Sequence, residues 1–142
     1  MAVHKLFSPT QIAVATFIGG PLAAVYTIKE NYRAMGLPEL HKASMIYGLL
    51  LTVLIFTIIG FLPENFPTIA VNLLYIVAVR YWVEKKQISR EQIEREEQFD
   101  FQSNGQVFGI SIVAMFATLA LIFGIVMSLI PMDELSPAMG GY

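Results

Sequence analysis

The chain has 142 residues, of which 56% are hydrophobic and 14% charged, and its formal net charge is −2. A soluble domain of this size cannot bury so many apolar side chains, so the composition predicts that lipid surrounds much of the chain. The length allows several membrane helices with short connections but no additional soluble catalytic domain. Because the chain has no cysteine, disulfides, thiol catalysis and cysteine-based metal sites are excluded.

The first predicted helix covers residues 9–35. Ser8 and Gln11 are spaced as a capping box at its start, and Gly36 is typical of a residue that closes a helix. At the usual rise per residue such a helix is about 39 Å long, which is enough to cross the hydrocarbon of a bilayer. We expect a retained membrane helix and not a cleaved signal peptide.

The triplet Gly19-Gly20-Pro21 interrupts this helix at its middle. Pro21 has no amide hydrogen to donate to the preceding turn, and the two glycines loosen the same turn. A kink is the least that we expect there. Because the triplet has no counterpart in a later helix, the duplicated inverted repeat of many transporters is not predicted.

Three further helices are predicted at residues 38–62, 67–102 and 107–130, with a polar tail at 131–142. The second helix ends at Pro63, and the short loop that follows predicts antiparallel neighbours. The third helix is apolar up to Val79 and then carries alternating charges, so we expect it to extend into the cytoplasm as a solvated stalk. The sequence thus predicts an all-α polytopic membrane protein with four transmembrane helices in a single domain.

Lysine and arginine are unevenly divided between the two predicted sides of the membrane. Lys5 is the one basic residue on the side of the chain termini. The other side carries all the rest, namely Lys29, Arg33, Lys42, Arg80, Lys85, Lys86, Arg90 and Arg95. By the positive-inside rule that side is cytoplasmic. We therefore predict a multi-pass inner-membrane protein with both termini outside and the stalk inside.

Small and polar residues recur along one stripe of the first helix, at Thr16, Gly20, Ala23, Thr27 and Asn31. One interpretation is a hydrated or substrate-facing path, in which carbonyls freed by Pro21 act as ligands. The other is a close-packed helix interface built on Gly19 and Ala23. We favour packing, since small residues at this spacing are the usual way in which membrane helices approach each other.

Small and polar residues of the later helices are further candidates. Ala120, Gly124 and Ser128 form a second ridge of small residues, which predicts packing against the first helix or a second copy of the protein. Asn72 and Arg80 share a face of the third helix. We expect Arg80 to reach the cytoplasmic headgroups beside the aromatic pair that follows it, and Asn72 to bond to a neighbouring helix.

Residues that would carry chemistry are missing from the predicted membrane interior. It contains no Asp or Glu, which proton- and cation-coupled carriers normally use, and His4 and His41 are predicted on opposite sides. No phosphate-binding loop or nucleophile motif occurs. We therefore expect no enzyme activity, no metal, no cofactor and no nucleic-acid partner.

The predicted stalk mixes both signs of charge. Its basic residues are outnumbered by acidic ones, so a polybasic lipid-binding switch is not predicted. Ile88 and Phe99 give it only a thin apolar edge. We expect a cytoplasmic docking handle that contacts its partners mainly through polar groups.

Two stretches, TFIGGPLA at 16–23 and NYRAMG at 31–36, resemble the first helix of small, uncharacterised bacterial four-helix inner-membrane proteins. The resemblance covers about the first quarter of the chain, implies a bacterial source and attaches no activity. We predict an accessory or scaffold subunit of a membrane assembly, whose partners are the bilayer and other membrane subunits or further copies. The alternative is a small homo-oligomeric channel or facilitator, lined by Thr16, Gly20, Thr27, Asn31 and Asn72.

Overall fold

A computed structural model describes residues 3–131, and 78% of them are helical, which confirms the all-α prediction at this level. In chain order the elements are β1 (His4–Leu6), α1 (Pro9–Gly19), α2 (Pro21–Ala34), α3 (Pro38–Phe61), α4 (Thr68–Trp82), a π-helical segment (Val83–Gln87), α5 (Arg90–Arg95), β2 (Phe99–Phe101) and α6 (Asn104–Leu129). The predicted polar tail, apart from Pro131, lies outside the described residues.

Two of the described helices are long and apolar enough to cross a membrane, α3 with 24 residues and α6 with 26. They correspond to the second and fourth predicted helices. The helix α4 has 15 residues, and the two helices that replace the first predicted one have 11 and 14. These are shorter than the roughly 20 residues that a membrane span needs. Length and composition thus give two candidate spans among the described residues, where the sequence predicted four.

The first predicted helix is two helices folded back on each other. In one straight helix Phe7 and Asn31 would be about 36 Å apart, but the Phe7 amide donates to the Asn31 Oδ1 at 2.8 Å. The chain reverses at Gly20, whose φ of 76° and ψ of −166° lie in a region open almost only to glycine. The break is larger than the predicted kink, and the prediction of a single crossing helix is wrong. We call α1 and α2 together the hairpin.

The hairpin lies at the centre of the molecule. The helix α1 packs against α4 and α6, and α2 packs against α3 and α6. The main core consists of apolar side chains of α1, α2, α4 and α6 together with Phe7 and Val83, namely Phe7, Ile12, Ala15, Ala23, Ala24, Val79, Val83, Val107 and Ala114. The longer helices are therefore organised around the hairpin.

The hairpin extends along only part of its neighbours. Near its open end the Gln11 Nε2 donates to the Asn104 Oδ1 at 3.2 Å, and at its tip the Gly19 carbonyl accepts from the Thr118 Oγ1 at 3.3 Å. The tip is thus level with the middle of α6. We call the part of the molecule beside the hairpin the near half. The far half consists of residues 53–62, 63–74 and 119–131.

A two-stranded parallel sheet closes the open end of the hairpin. Residue His4 pairs with Phe99 and Leu6 with Phe101. Leu6 also packs with Ile88 and Ile93 in a small second core. We call β1, the π-helical segment, α5 and β2 the cap. Strands of three residues carry too little pattern to be recognised in a sequence, and the prediction did not include them.

The predicted continuous helix at 67–102 is wrong. After Trp82 the helix widens into the π-helical segment, and Ile88 is extended with φ at −158°. A new helix then starts at Ser89, whose Oγ accepts from the Gln92 amide at 3.3 Å. The chain folds back because Ile88 and Ile93 become buried against Leu6, whereas a solvated stalk would leave them in water.

The β1–β2 pairing contradicts the predicted separation of Lys5 from the stalk. The sequence prediction put Lys5 opposite the stalk, yet Lys5 pairs with Asp100 across the sheet. All nine Lys and Arg residues of the chain therefore lie towards the open end of the hairpin and the cap. Among the described residues of the far half, Glu64 is the only charged one.

Candidate functional site

Asn31 fastens the open end of the hairpin. Its side chain is fully buried; its Oδ1 accepts from the Phe7 amide, and its Nδ2 donates to the Phe7 carbonyl at 2.8 Å and to the Gln87 Oε1 at 3.2 Å. The Gln87 Nε2 in turn donates to the Ile28 carbonyl at 2.9 Å. Asn31 thus satisfies the backbone of Phe7 as a neighbouring strand would. We call Asn31, Phe7 and Gln87 the pin.

The tip of the hairpin is packed tightly against α6. A Cβ on Gly19 would lie 2.8 Å from both the Ala23 Cβ and the Ser111 carbonyl oxygen. Pro21 occupies the first position of α2, where its missing amide hydrogen would have no helical partner in any case. The triplet therefore produces a compact reversal, in which glycine permits both the backbone angles and the close contact.

The polar residues of the predicted stripe bond within the hairpin. Thr16 and Thr27 are buried, and their hydroxyls donate to the carbonyls of Ile12 at 2.7 Å and of Ala23 at 2.8 Å. Ala23 is fully buried between them. Together with Asn31, these side chains lie inside the protein core, so they do not line an open path within it.

The ridge predicted on α6 is not the surface that receives the hairpin. Ala120, Gly124 and Ser128 are exposed, and a Cβ on Gly124 would meet nothing within 4 Å. The hairpin instead meets an earlier part of α6, around Ser111 and Thr118. Packing of the ridge against the first helix is therefore wrong, and packing against a second copy stays a prediction.

Asn72 and Arg80 lie on the surface of α4. Both are exposed, and neither makes a side-chain hydrogen bond or an ion pair with another of residues 3–131. The expected bond from Asn72 to a neighbouring helix is thus not found. Arg80 lies two residues before Trp82, whose ring meets that of Tyr32 edge-on with centroids 6.5 Å apart.

Sequence reasoning missed two residues that hold the hairpin. A Cβ on Gly48 of α3 would lie only 2.6 Å from the Val25 Cγ2, so this glycine lets α2 and α3 approach closely. Ser44, Gly48 and Thr52 are spaced by four, and that spacing is a signal that could have found the contact. Gln87, by contrast, lies in a charged run that gives no sign of its role in the pin.

One concave surface among the described residues is an apolar groove between α2 and α6. It encloses about 540 Å³ and is lined by Leu22, Tyr26, Gln106, Gly109, Ile110, Val113, Ala114 and Ala117. Its lining offers contact to an apolar group. Within residues 3–131 no set of three His, Asp or Glu residues is arranged to hold a metal ion.

No family model, no curated protein and no solved structure matches this chain. The resemblance of residues 16–23 and 31–36 to small bacterial inner-membrane proteins therefore remains a prediction.

Proposed function

We propose that this chain is an integral membrane protein in which α3, α4 and α6 cross the bilayer, while the hairpin enters and leaves through one face. With 24 and 26 residues, α3 and α6 are about 36 and 39 Å long. The 15 residues of α4 give about 22 Å of helix, a short span that local thinning of the bilayer accommodates, and the π-helical segment continues it into the headgroups. The hairpin reaches only the level of the bilayer centre.

The proposed orientation has the cap in the cytoplasm of a bacterial cell. All nine basic residues lie towards the cap and the open end of the hairpin, which together we call the cap end. None of them lies in the far half. A bias of this kind is the usual determinant of orientation in inner-membrane proteins. The proposal therefore has the N-terminal strand inside and the end of α6 outside.

Within that membrane we propose the role of an accessory or scaffold subunit. The observation that carries this proposal is the exposure of α6 beyond the hairpin tip, where every residue from 119 to 129 is exposed. The exposed surface includes the face that would continue the contact with the hairpin. A helix of this kind, with small residues at Ala120 and Gly124, offers a close-packing surface to a helix of another membrane subunit. The burial of Thr16, Thr27 and Asn31 argues against a channel lined by these residues.

The orientation is tested with single cysteines, since the chain has none of its own. We expect Lys5→Cys and Glu97→Cys, both at exposed positions of the cap end, to react with an impermeant thiol reagent from the cytoplasmic side. Glu64→Cys should react only from the outside. If Lys5→Cys and Glu97→Cys react from opposite sides, the re-entrant hairpin is wrong.

The subunit role is tested with a photo-crosslinking amino acid at Phe123, which is 66% exposed in the far half. We expect irradiation of membranes to join it to another polypeptide. Phe108 is the matched control, because it is 57% exposed on the same helix but lies in the near half. Crosslinks to lipid alone at both positions, with a single monodisperse protomer after purification, would refute the role.

A further inference from the structure

We propose that the cap end of the molecule binds the headgroups of anionic phospholipids, through Arg80, Lys85 and Lys86 beside Trp82. The inference rests on the proposed membrane orientation and adds a lipid class to it. Arg80 is at the end of α4, and the two lysines are in the π-helical segment that follows. All three side chains are exposed.

Both arginines of α5 already have carboxylate partners. In α5, Arg90 pairs with Glu94 at 3.0 Å and Arg95 with Glu91 at 3.8 Å. Two of the acidic residues of the predicted stalk, Glu91 and Glu94, thus form ion pairs within α5.

The three proposed cations differ from these arginines. Among residues 3–131 no carboxylate oxygen lies within 4.0 Å of the side-chain nitrogens of Arg80, Lys85 or Lys86. Glu84 is their neighbour in sequence, yet it makes no ion pair with them. Their charge is therefore available to an external anion.

The fold of the predicted stalk separates its basic residues from its acidic ones. In one continuous helix, the acidic residues after position 90 would continue the same rod as Lys85 and Lys86. The chain instead turns at Ile88, and Ile93 of α5 is buried in the cap core beside Leu6. The predicted stalk is therefore two parts. In α5 the arginines form ion pairs with glutamates of the same helix, whereas Lys85 and Lys86 are in the π-helical segment that directly continues α4.

Trp82 indicates the depth of these cations in the membrane, because it lies close in sequence to all three at the end of α4. Val79 and Val83 are buried in the main core, and the Trp82 ring packs edge-on against Tyr32. Trp82 is 41% exposed, as expected for an aromatic ring at the level of the headgroups. The cations on either side of it are then within reach of lipid phosphates, where each contributes about fivefold to the preference for an anionic surface.

The only tryptophan of the chain reports on this site directly. The full chain is reconstituted in phosphatidylcholine vesicles with increasing mole fractions of either brominated phosphatidylglycerol or brominated phosphatidylcholine. We expect brominated phosphatidylglycerol to quench Trp82 fluorescence at a mole fraction about a hundredfold lower, since three cations each contribute about fivefold. Lys85→Gln should reduce this preference about fivefold, and Arg80→Gln with Lys86→Gln should reduce it further.

Arg90→Gln and Arg95→Gln are the matched controls, because they remove cations that are already paired, and we expect the preference to stay unchanged. Equal quenching by the two brominated lipids would overturn the proposal. Loss of the preference on addition of inorganic phosphate would also overturn it, since the site would then bind a soluble anion. Absence of quenching by either lipid would refute the membrane placement itself, so the two failures are distinguishable.

Discussion

The near and far halves are built from similar residues but differ in how they are packed. In the near half, glycine and alanine residues lie against another helix, and the buried hydroxyls of Thr16 and Thr27 are hydrogen-bonded. In the far half, Ala120 and Gly124 are four residues apart, as Gly19 and Ala23 are in the near half, yet both Ala120 and Gly124 are exposed. The difference lies in the presence of the hairpin and not in the composition.

This comparison shows what a small residue contributes to a membrane-type helix. Gly19 and Gly48 allow backbones to approach so closely that a Cβ would clash with the neighbouring helix. Gly124 has the same permissive chemistry, but nothing lies against it within 4 Å. A small residue therefore permits close packing without producing it, and other interactions have to bring the helices together. In the near half, the pin is one such interaction.

The largest expected effect is at the pin. Replacing Asn31 with alanine leaves the buried amide and carbonyl of Phe7 without partners, which we expect to lower the free energy of unfolding by about 3 kcal/mol. Asn72→Ala is the control, because this exposed asparagine should cost less than about 0.5 kcal/mol. Unfolding in detergent micelles with added dodecyl sulfate, followed by circular dichroism, measures both. Equal effects of the two variants would show that Asn31 is not a special contact.

The next effect is at the hairpin tip. The added methyl group of Gly19→Ala meets the backbone of Ser111, which cannot rotate away, so α1 and α6 must separate at a cost of about 2 kcal/mol. Gly124→Ala adds the same group in open space and should be neutral or slightly stabilising. The same unfolding measurement applies. A stability loss for Gly124→Ala, in place of Gly19→Ala, would reverse the assignment of the packed and unpacked halves.

The smallest expected loss of stability is at the chain reversal, where Gly20 and Pro21 are compared. Gly20→Ala forces a non-glycine residue to adopt a φ of 76° and should cost about 1–2 kcal/mol through backbone strain. Pro21→Ala should cost less, because proline at the first helical position is tolerated but not required. The unfolding midpoints of the two variants are compared under identical conditions. A larger loss for Pro21→Ala would mean that proline, and not the glycine conformation, sets the turn.

Much of the local structure could be predicted from the sequence. Ser8 and Gln11 do form the capping box at the start of α1, and Gly36 has the positive φ expected of a closing residue. The bounds of α3 and α6 lie within a few residues of the prediction. These features depend on neighbours in the sequence, which is why their signals are local.

The arrangement of these elements could not be predicted in the same way. A Gly-Gly-Pro triplet breaks a helix, but its chemistry is the same for a kink and for a full reversal. What distinguishes them is the bond from Asn31 to Phe7, 24 positions away, and to Gln87, 56 positions away. The predicted separation of Lys5 from the stalk followed from the same choice, because one long helix in place of the hairpin would put Lys5 far from its partner strand.

The parallel pairing of β1 with β2 has a consequence for the order of assembly. Residues 4–6 cannot complete their hydrogen bonds until residues 99–101 have been synthesised, and α1 obtains its neighbour α6 only after that. Contacts so distant in sequence form slowly, and domains that depend on them finish late. The segment that contains β1 and α1 is therefore made before α3, α4 and α6 but completes its contacts only after them. Of the parts described, it is the first to leave the ribosome and among the last to reach its final structure.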